Sequence, residues 1–217
     1  MKITVIGATG MAGSAIVSEA AKRGNDVTAI ARSAEKLVDL KTKIPSIQTL
    51  LKDAFALTKN DLSNSDVLID AFASSPDKAY LHVDLAAKLI ALLRQSSQPR
   101  LFFILGAGSL HISEDHHLVV KDMEKDPQND SFISVPQNQL KELQFLQNVD
   151  DVNWVAVSPA ASFHAGAATA ILKGKDDLLF NQAGQSETSS GTMAKAILDE
   201  IEHENYHQTR FTIADGD

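Results

Sequence analysis

Apolar and polar positions along this chain recur with two periods, and the switches between them mark out its elements. Ile3, Val5 and Ile6 form a short apolar run of the kind a buried strand needs. It runs straight into Gly7, Ala8, Thr9, Gly10, Met11, Ala12 and Gly13. A helical period follows: Ala15, Ile16, Val17, Ala20 and Ala21 fall on one side, while Ser14, Ser18, Glu19, Lys22 and Arg23 fall mostly on the other. Gly24 ends this helix, and Val27 to Ala31 reads as a second strand.

The alternation then continues. Ser33 is a candidate N-cap for a short helix over Glu35 to Leu40, Ile47 to Leu51 reads as a third strand, and Phe55 to Leu62 as a short helix. Val67 to Ile69 is the core of a fourth strand, and Lys78 to Gln95 carries Leu81, Leu85, Leu89, Leu92 and Leu93 at helical spacing. Leu101 to Leu105 is almost wholly apolar, as expected of a central parallel strand covered on both faces. Leu110 to Pro136 is polar and lacks a period, so it reads as a long loop or lid. Leu140, Leu143, Phe145 and Leu146 predict a further helix, Trp154 to Val157 a sixth strand, and Leu178 to Phe180 a short strand. Thr192 to Glu202 predicts an amphipathic helix before a last strand at Phe211 to Ile213. Strands alternating with helices predict one α/β domain over residues 1–217, a Rossmann-type doubly wound parallel sheet with a small C-terminal region on the substrate side.

The first strand, glycine turn and helix form the unit in which a dinucleotide pyrophosphate sits on a helix N-terminus. In that reading Gly7 permits a sharp turn, Gly10 lets the backbone approach the pyrophosphate, and Gly13 lets the helix lie close on the strands. The bland alternative is a tight turn, but the motif's place after a strand and before a helix removes most chance matches.

Composition narrows the function classes. With 217 residues the chain can bury one sizeable core, and 44% hydrophobic against 22% charged residues is ordinary for a globular protein. A formal charge of −8 argues against a broad nucleic-acid footprint, and no apolar run is long enough to span a bilayer. Strand-like residues from the first position lead to the expectation of no signal peptide, and zero Cys to that of a reducing cytoplasm.

In open α/β sheets ligands lie over the C-terminal strand ends. Those ends are Gly7, Thr9, Gly10, Met11, Ala12 and Gly13; Arg32 and Ser33; Asp53 and Ala54; Ala71, Phe72 and Ala73; Gly106 to Ser109; and Ser158, Pro159 and Ala160. All are candidate cofactor contacts. An acidic residue after the second strand would read the ribose hydroxyls of NAD, but Arg32 stands there, able to stack on adenine and pair with a 2′-phosphate. NADP is therefore favoured over NAD, against the plainer reading of a solvated arginine.

The runs TVIGATGMAGSAIVSEAAKRGNDVTAIAR, LFFILGAGSL, WVAVSPAASF and GTMAKAILDEIEHENYH resemble the atypical short-chain dehydrogenase/reductase group. Within it the chain is most similar to the NADH-flavin reductase-like proteins, relatives of NmrA-type and biliverdin reductase B-type proteins. The resemblance spans essentially the whole chain. It implies a Rossmann fold, a nicotinamide cofactor, and reduction of a flavin-like acceptor such as FMN. Many members of the wider group carry Tyr-x-x-x-Lys, whose phenol donates a proton; here Gln137 stands at the tyrosine position and Lys141 at the lysine, where it would contact cofactor. Ser109 matches the family serine, and the resemblance makes Ser109 and Lys141 the candidate catalytic residues; Ser109 would orient a substrate or merely cap its loop.

Hydride transfer to a stacked planar acceptor, flavin or quinone, tolerates the missing tyrosine, and so does a non-enzymatic NAD(P) sensor of NmrA type. His164, after the sixth strand, is a candidate substrate contact or an ordinary loop histidine. The cluster His111, Glu114, Asp115, His116 and His117 reads as a polar lid rather than a metal site, because adjacent loop histidines lack preset ligand directions.

Overall fold

The computed structural model describes residues 1–216. Its first half is built from β1 (Lys2–Ile6), α1 (Met11–Lys22), β2 (Asp26–Ala31), α2 (Ala34–Lys43), β3 (Gln48–Leu51), α3 (Lys59–Leu62), β4 (Val67–Asp70), α4 (Leu81–Leu93) and β5 (Arg100–Ile104). The short β6 (His111–Ile112) and β7 (His117–Leu118) pair with each other, and α5 (Val119–Met123) and α6 (Ser134–Leu146) follow. The chain then forms β8 (Trp154–Ser158), β9 (Ser162–His164), β10 (Ile171–Gly174), β11 (Glu187–Ser189), α7 (Ser190–Glu202) and β12 (Thr209–Asp215).

Eight strands make the central sheet in the order β10-β12-β8-β5-β4-β1-β2-β3. The chain runs outward from β1 through β2 to β3, then returns to β4 and runs the other way, so the order reverses between β1 and β4. That reversal is where an α/β sheet opens a crevice above its strand ends. The sheet is parallel as expected except for β10, which pairs antiparallel with β12 at one edge. Alternate strand residues face opposite layers. Ile3, Val5, Ile69 and Phe102 pack with Ile16, Val17, Leu37 and Ile197 from α1, α2 and α7. Ile6, Leu68 and Phe103 pack with Leu85, Leu89, Leu143 and Leu146 from α4 and α6.

Three segments depart from the sequence reading. The stretch from Leu110 to Pro136 is not a single loop: it holds the β6–β7 hairpin, α5 and the first turn of α6. Backbone bonds anchor it, with His111 N donating to Asp176 O at 2.7 Å and Leu178 N to His111 O at 2.9 Å. These two bonds make only a single bridge at Asp177, so Leu178 to Phe180 forms no strand, and Ile171–Gly174 supplies β10. The helix expected over Phe55 to Leu62 is split in two, because the Asp61 carboxylate takes the Thr58 N–H (2.7 Å) and hydroxyl (2.6 Å) and restarts the chain as the single turn α3.

The β1–β4 junction depends on Gly7. Its φ is +70°, and a Cβ there would lie 2.4 Å from the Ala71 carbonyl oxygen at the end of β4. Gly7→Ala combines a left-handed backbone with a backbone clash, so it is expected to destabilise the fold by about 2 to 5 kcal/mol. Gly24, at φ +79° with nothing within 4 Å, supplies the control: Gly24→Ala bears the conformational cost alone, about 1 to 2 kcal/mol. Urea unfolding of the two variants checks this, and equal losses would contradict the close approach at Gly7.

Candidate cofactor site

A groove of about 320 Å³ opens above the ends of β1, β2, β3 and β4. Of the residues expected there, Gly7, Thr9, Gly10, Arg32, Ser33, Asp53, Ala54, Ala71, Phe72 and Ala73 line it together. Gly10 is the N-cap of α1, with no side chain bonded across the helix end and no acidic residue in the first turn. A Cβ on Gly10 would touch only the Gly7 carbonyl, at 3.3 Å, so the protein leaves the space beside this backbone open. That opening at a helix N-terminus suits a pyrophosphate. Gly13 lets α1 lie close on the chain leaving β1, since a Cβ there would sit 2.2 Å from Gly7 O and 2.9 Å from Ala8 Cα.

Two lysines complete the groove that sequence reasoning does not single out. Ser33 Oγ accepts the Lys36 N–H at 3.3 Å, which caps α2 and brings Lys36 over the end of β2. Lys52, just after β3, lies between the groove and Asp61, whose two oxygens hold its Nζ at 2.7 and 2.9 Å. These bonds, with the Thr58 contacts, draw the Asp61 carboxyl down to about 2. Arg32 is largely exposed, its Nη1 3.9 Å from Asp53 Oδ2. The groove's outer end thus presents Arg32, Lys36 and Lys52, with Asp53 near Arg32 and Asp61 paired to Lys52.

The remaining expected residues lie elsewhere. Met11 borders a second hollow of about 550 Å³ that shares Thr9 and Lys36 with the groove and is lined also by Ala165 and Ser190. Ala12 follows Met11 in the first turn of α1 and lines neither hollow. Ser109 is buried, and its hydroxyl is engaged by the Gly106 carbonyl (3.3 Å) and by Arg210 Nη1 (3.1 Å). The same nitrogen bonds Ser158 Oγ at 3.1 Å, while Arg210 Nη2 meets Asp176 at 2.7 Å. Pro159 and Ala160 are also buried, the Ala160 N–H donating to Thr188 Oγ1 at 2.8 Å. Gly106 lies under Gln139 of α6, whose Oε1 stands 2.2 Å from where a Cβ would be. Lys141 is exposed on α6, and His164 is half-exposed, with Nε2 3.8 Å from both Glu187 and Asp215. In the hairpin, His117 is gripped by Asp115 and Asp122, each at 2.6 Å, which hold its imidazolium above the ordinary histidine range. Among the described residues no cluster of His, Asp and Glu is arranged to hold a metal ion.

One feature carries no signal that periodicity reveals. Asp70 at the end of β4, His82 on α4 and Glu142 on α6 are all buried. Burial pushes the Asp70 carboxyl up to about 7 and His82 down to about 4, and holds Glu142 well above the ordinary carboxylate range, with Asp70 adding to the effect. The Glu142 Oε2 and His82 Nδ1 atoms, 3.7 Å apart, therefore belong to a neutral acid and a neutral imidazole.

Comparison with known proteins settles the family. The NAD(P)H-binding family model matches residues 7–204. The chain belongs to this NAD(P)H-binding family. It is 39% identical to YwnB, an uncharacterized protein of Bacillus subtilis (strain 168), over 215 residues and 98% of each chain. Among solved structures, a Lactobacillus casei protein superposes with a TM-score of 0.93 at 39% identity over 100% of both chains. A proposed NADH-flavin reductase from Streptococcus pneumoniae TIGR4 gives 0.87 at 34% identity over 99% of both. A third, described as a proposed epimerase from Bacteroides thetaiotaomicron, gives 0.86 at 31% over 100% of this chain and 97% of that one. These relatives agree with the atypical short-chain dehydrogenase/reductase resemblance seen in the sequence. Among the described residues no helix is long and apolar enough to cross a membrane.

The open space at Gly10 and the burial of Glu142 can each be tested. Gly10→Val should leave stability nearly unchanged, since only one contact tightens, yet reduce NAD(P)H affinity severely; unchanged affinity in a folded variant would remove the pyrophosphate from this turn. Glu142 is held protonated by the fold, so its contribution to stability is greatest below about pH 4.5 and is lost as pH rises through its elevated native value. Glu142→Gln lacks that slope, and its stability relative to wild type should improve by roughly 1 to 3 kcal/mol between pH 5.5 and 7.5. Chemical unfolding at both pH values tests this, and a pH-independent difference would mean an ionised Glu142.

Proposed function

We propose that the protein is an NADPH-dependent oxidoreductase that passes hydride to a planar acceptor, a flavin or quinone. The observation that carries the cofactor choice is the cationic end of the groove, where Arg32, Lys36 and Lys52 outnumber Asp53 and the Asp61 that pairs with Lys52. A 2′-phosphate answers that charge, and a guanidinium can pair with it bidentately. When bound, the dinucleotide supplies the hydride from its nicotinamide ring. The chain's own part is to seat the pyrophosphate at Gly10, to give the ring system a flat wall of Ala71, Phe72 and Ala73, and to orient the two reactants.

Proton donation is where this chain differs from its wider group. Gln137 offers no phenol, and the Ser109 hydroxyl is engaged by Arg210 and Gly106. A planar acceptor that takes its proton from water, on a ring nitrogen of a flavin or on an oxygen of a quinone, needs neither group, which favours these acceptors over a simple carbonyl. The Streptococcus pneumoniae relative described as a proposed NADH-flavin reductase supports the same acceptor class. NADPH oxidation in the presence of FMN, riboflavin and quinones is the assay. Tight NADPH binding with no turnover across that panel would sink the enzymatic reading in favour of an NmrA-type sensor.

Cofactor choice has its own test. Removing one exposed charge-assisted contact in Arg32→Ala is expected to weaken NADPH by about 1 to 2 kcal/mol, roughly five- to thirtyfold. NADH, which lacks the 2′-phosphate, should lose much less. Equal losses for the two cofactors, measured by fluorescence titration, would mean that Arg32 reads only the adenine.

A further inference from the structure

Asp70, His82 and Glu142 are 5%, 4% and 3% exposed, and the Glu142 Oε2 and His82 Nε2 atoms have no hydrogen-bond partner. Three buried titratable groups in one place are costly to fold around. Their position is specific: Asp70 pairs in register with Ile6, the last residue before the Gly7 turn, and shares its sheet face with Ile6 and Leu68. Asp70 Oδ1 accepts the Phe72 N–H at 2.9 Å, and the Phe72 ring stands edge-on to His82 with centroids 5.4 Å apart. Ile6 and Phe72 both line the cofactor groove. The carboxyl therefore lies immediately behind the groove wall, bonded to the backbone that forms it.

We propose that Asp70, backed by His82 and Glu142, is a proton-carrying positioning residue: it fixes the Phe72 wall and takes up a proton when a dinucleotide binds. The proposal rests on dinucleotide binding by the family and is independent of the acceptor. The surroundings are simple. Its strand neighbours in register, Ile6 on β1 and Phe103 on β5, are apolar, so neither strand presents a titratable group there. From α4 His82 faces the cluster as a neutral ring, and from α6 Glu142 as a neutral acid. On the groove side stand Lys52, paired with Asp61, the exposed Arg32 beside Asp53, and the exposed Lys36.

With its carboxyl pushed up to about 7, Asp70 is close to half protonated at neutral pH. A pyrophosphate seated on the adjacent Gly7 to Gly13 turn adds negative charge, and the bound rings exclude water from Phe72. Both effects favour the neutral acid. The protonated protein is then the better binder, so affinity is highest below pH 7 and falls as pH rises, by tenfold for each unit by which binding raises the Asp70 value.

Calorimetric titration of NADPH into wild type at pH 7.5, in two buffers of different ionisation enthalpy, reads the proton directly. Uptake of roughly half a proton is expected for a one-unit rise, with NADH as the control for titration of the 2′-phosphate. Asp70→Asn keeps an oxygen that can accept the Phe72 N–H and cannot titrate. It should lose the uptake and bind NADPH with nearly constant affinity from pH 6.5 to 9, while wild type weakens about threefold to tenfold. Glu142→Gln, neutral like the residue it replaces, should keep the uptake, which assigns the proton to Asp70. Buffer-independent heats for wild type, or an Asp70→Asn profile parallel to wild type, would overturn the proposal. The wild-type measurement stands even if the Asn variant does not fold. Failure of NADPH to bind at all would instead count against the groove as a cofactor site.

Discussion

The close approach of Gly7 to the Ala71 carbonyl is the contact on which the rest of the site depends. It lets β1 turn sharply at the point where the strand order reverses, with Ala71 N donating to Ile6 O at 3.1 Å to hold the two strand ends level. A side chain at position 7 would push β4 away and displace Ala71 to Ala73, one wall of the groove. A second constraint stacks on the first, because Gly13 lets α1 settle on the Gly7 turn and so aims its N-terminus across the same opening. The backbone thus shapes the proposed pyrophosphate site, and the side chains of Arg32, Lys36 and Lys52 supply the positive charge at its outer end.

The wall behind this opening is less ordinary. Most Rossmann-type sheets bury apolar strands on both faces, and Leu68, Ile69, Phe102 and Phe103 follow that rule here. Asp70 interrupts it at the last position of β4, where its carboxyl satisfies the Phe72 N–H as the chain leaves the sheet. Burying a neutral acid is tolerable where burying a carboxylate is not, and the same environment keeps Glu142 and His82 uncharged. The groove wall therefore carries a buried acid whose proton is proposed to respond to what occupies the groove.

Much of this is legible in the sequence. The strand, glycine turn and helix at the N-terminus have a period and a spacing that few other structures share, and the strand-end positions of Arg32, Asp53 and Ala71 to Ala73 follow from the strand assignments. Lys36 escapes a sequence reading that finds the Ser33 cap, because a cap also decides where the next turn's side chains lie. Ser109 and Ser158 read as site residues from their strand-end positions, but Arg210, 101 and 52 residues downstream of them, engages both hydroxyls. No local pattern announces such a long-range partner. The same holds for Asp70, His82 and Glu142, since a histidine and a glutamate on helices look like solvated polar positions until the packing of α4 on α6 buries them. The β6–β7 hairpin escapes for another reason: two-residue strands are too short to show a period.

One groove, at the β1–β4 reversal, is proposed to hold an NADP-type dinucleotide with its 2′-phosphate at the end of β2. A crystal structure of the protein with NADPH tests it most directly. Pyrophosphate density is expected against the Gly10 backbone, and the 2′-phosphate within hydrogen-bonding distance of the Arg32 guanidinium, with Lys36 or Lys52 beside it. A dinucleotide seated instead in the hollow beside Met11 and Ser190, or in the groove with its 2′-phosphate turned to solvent away from all three cations, would contradict it.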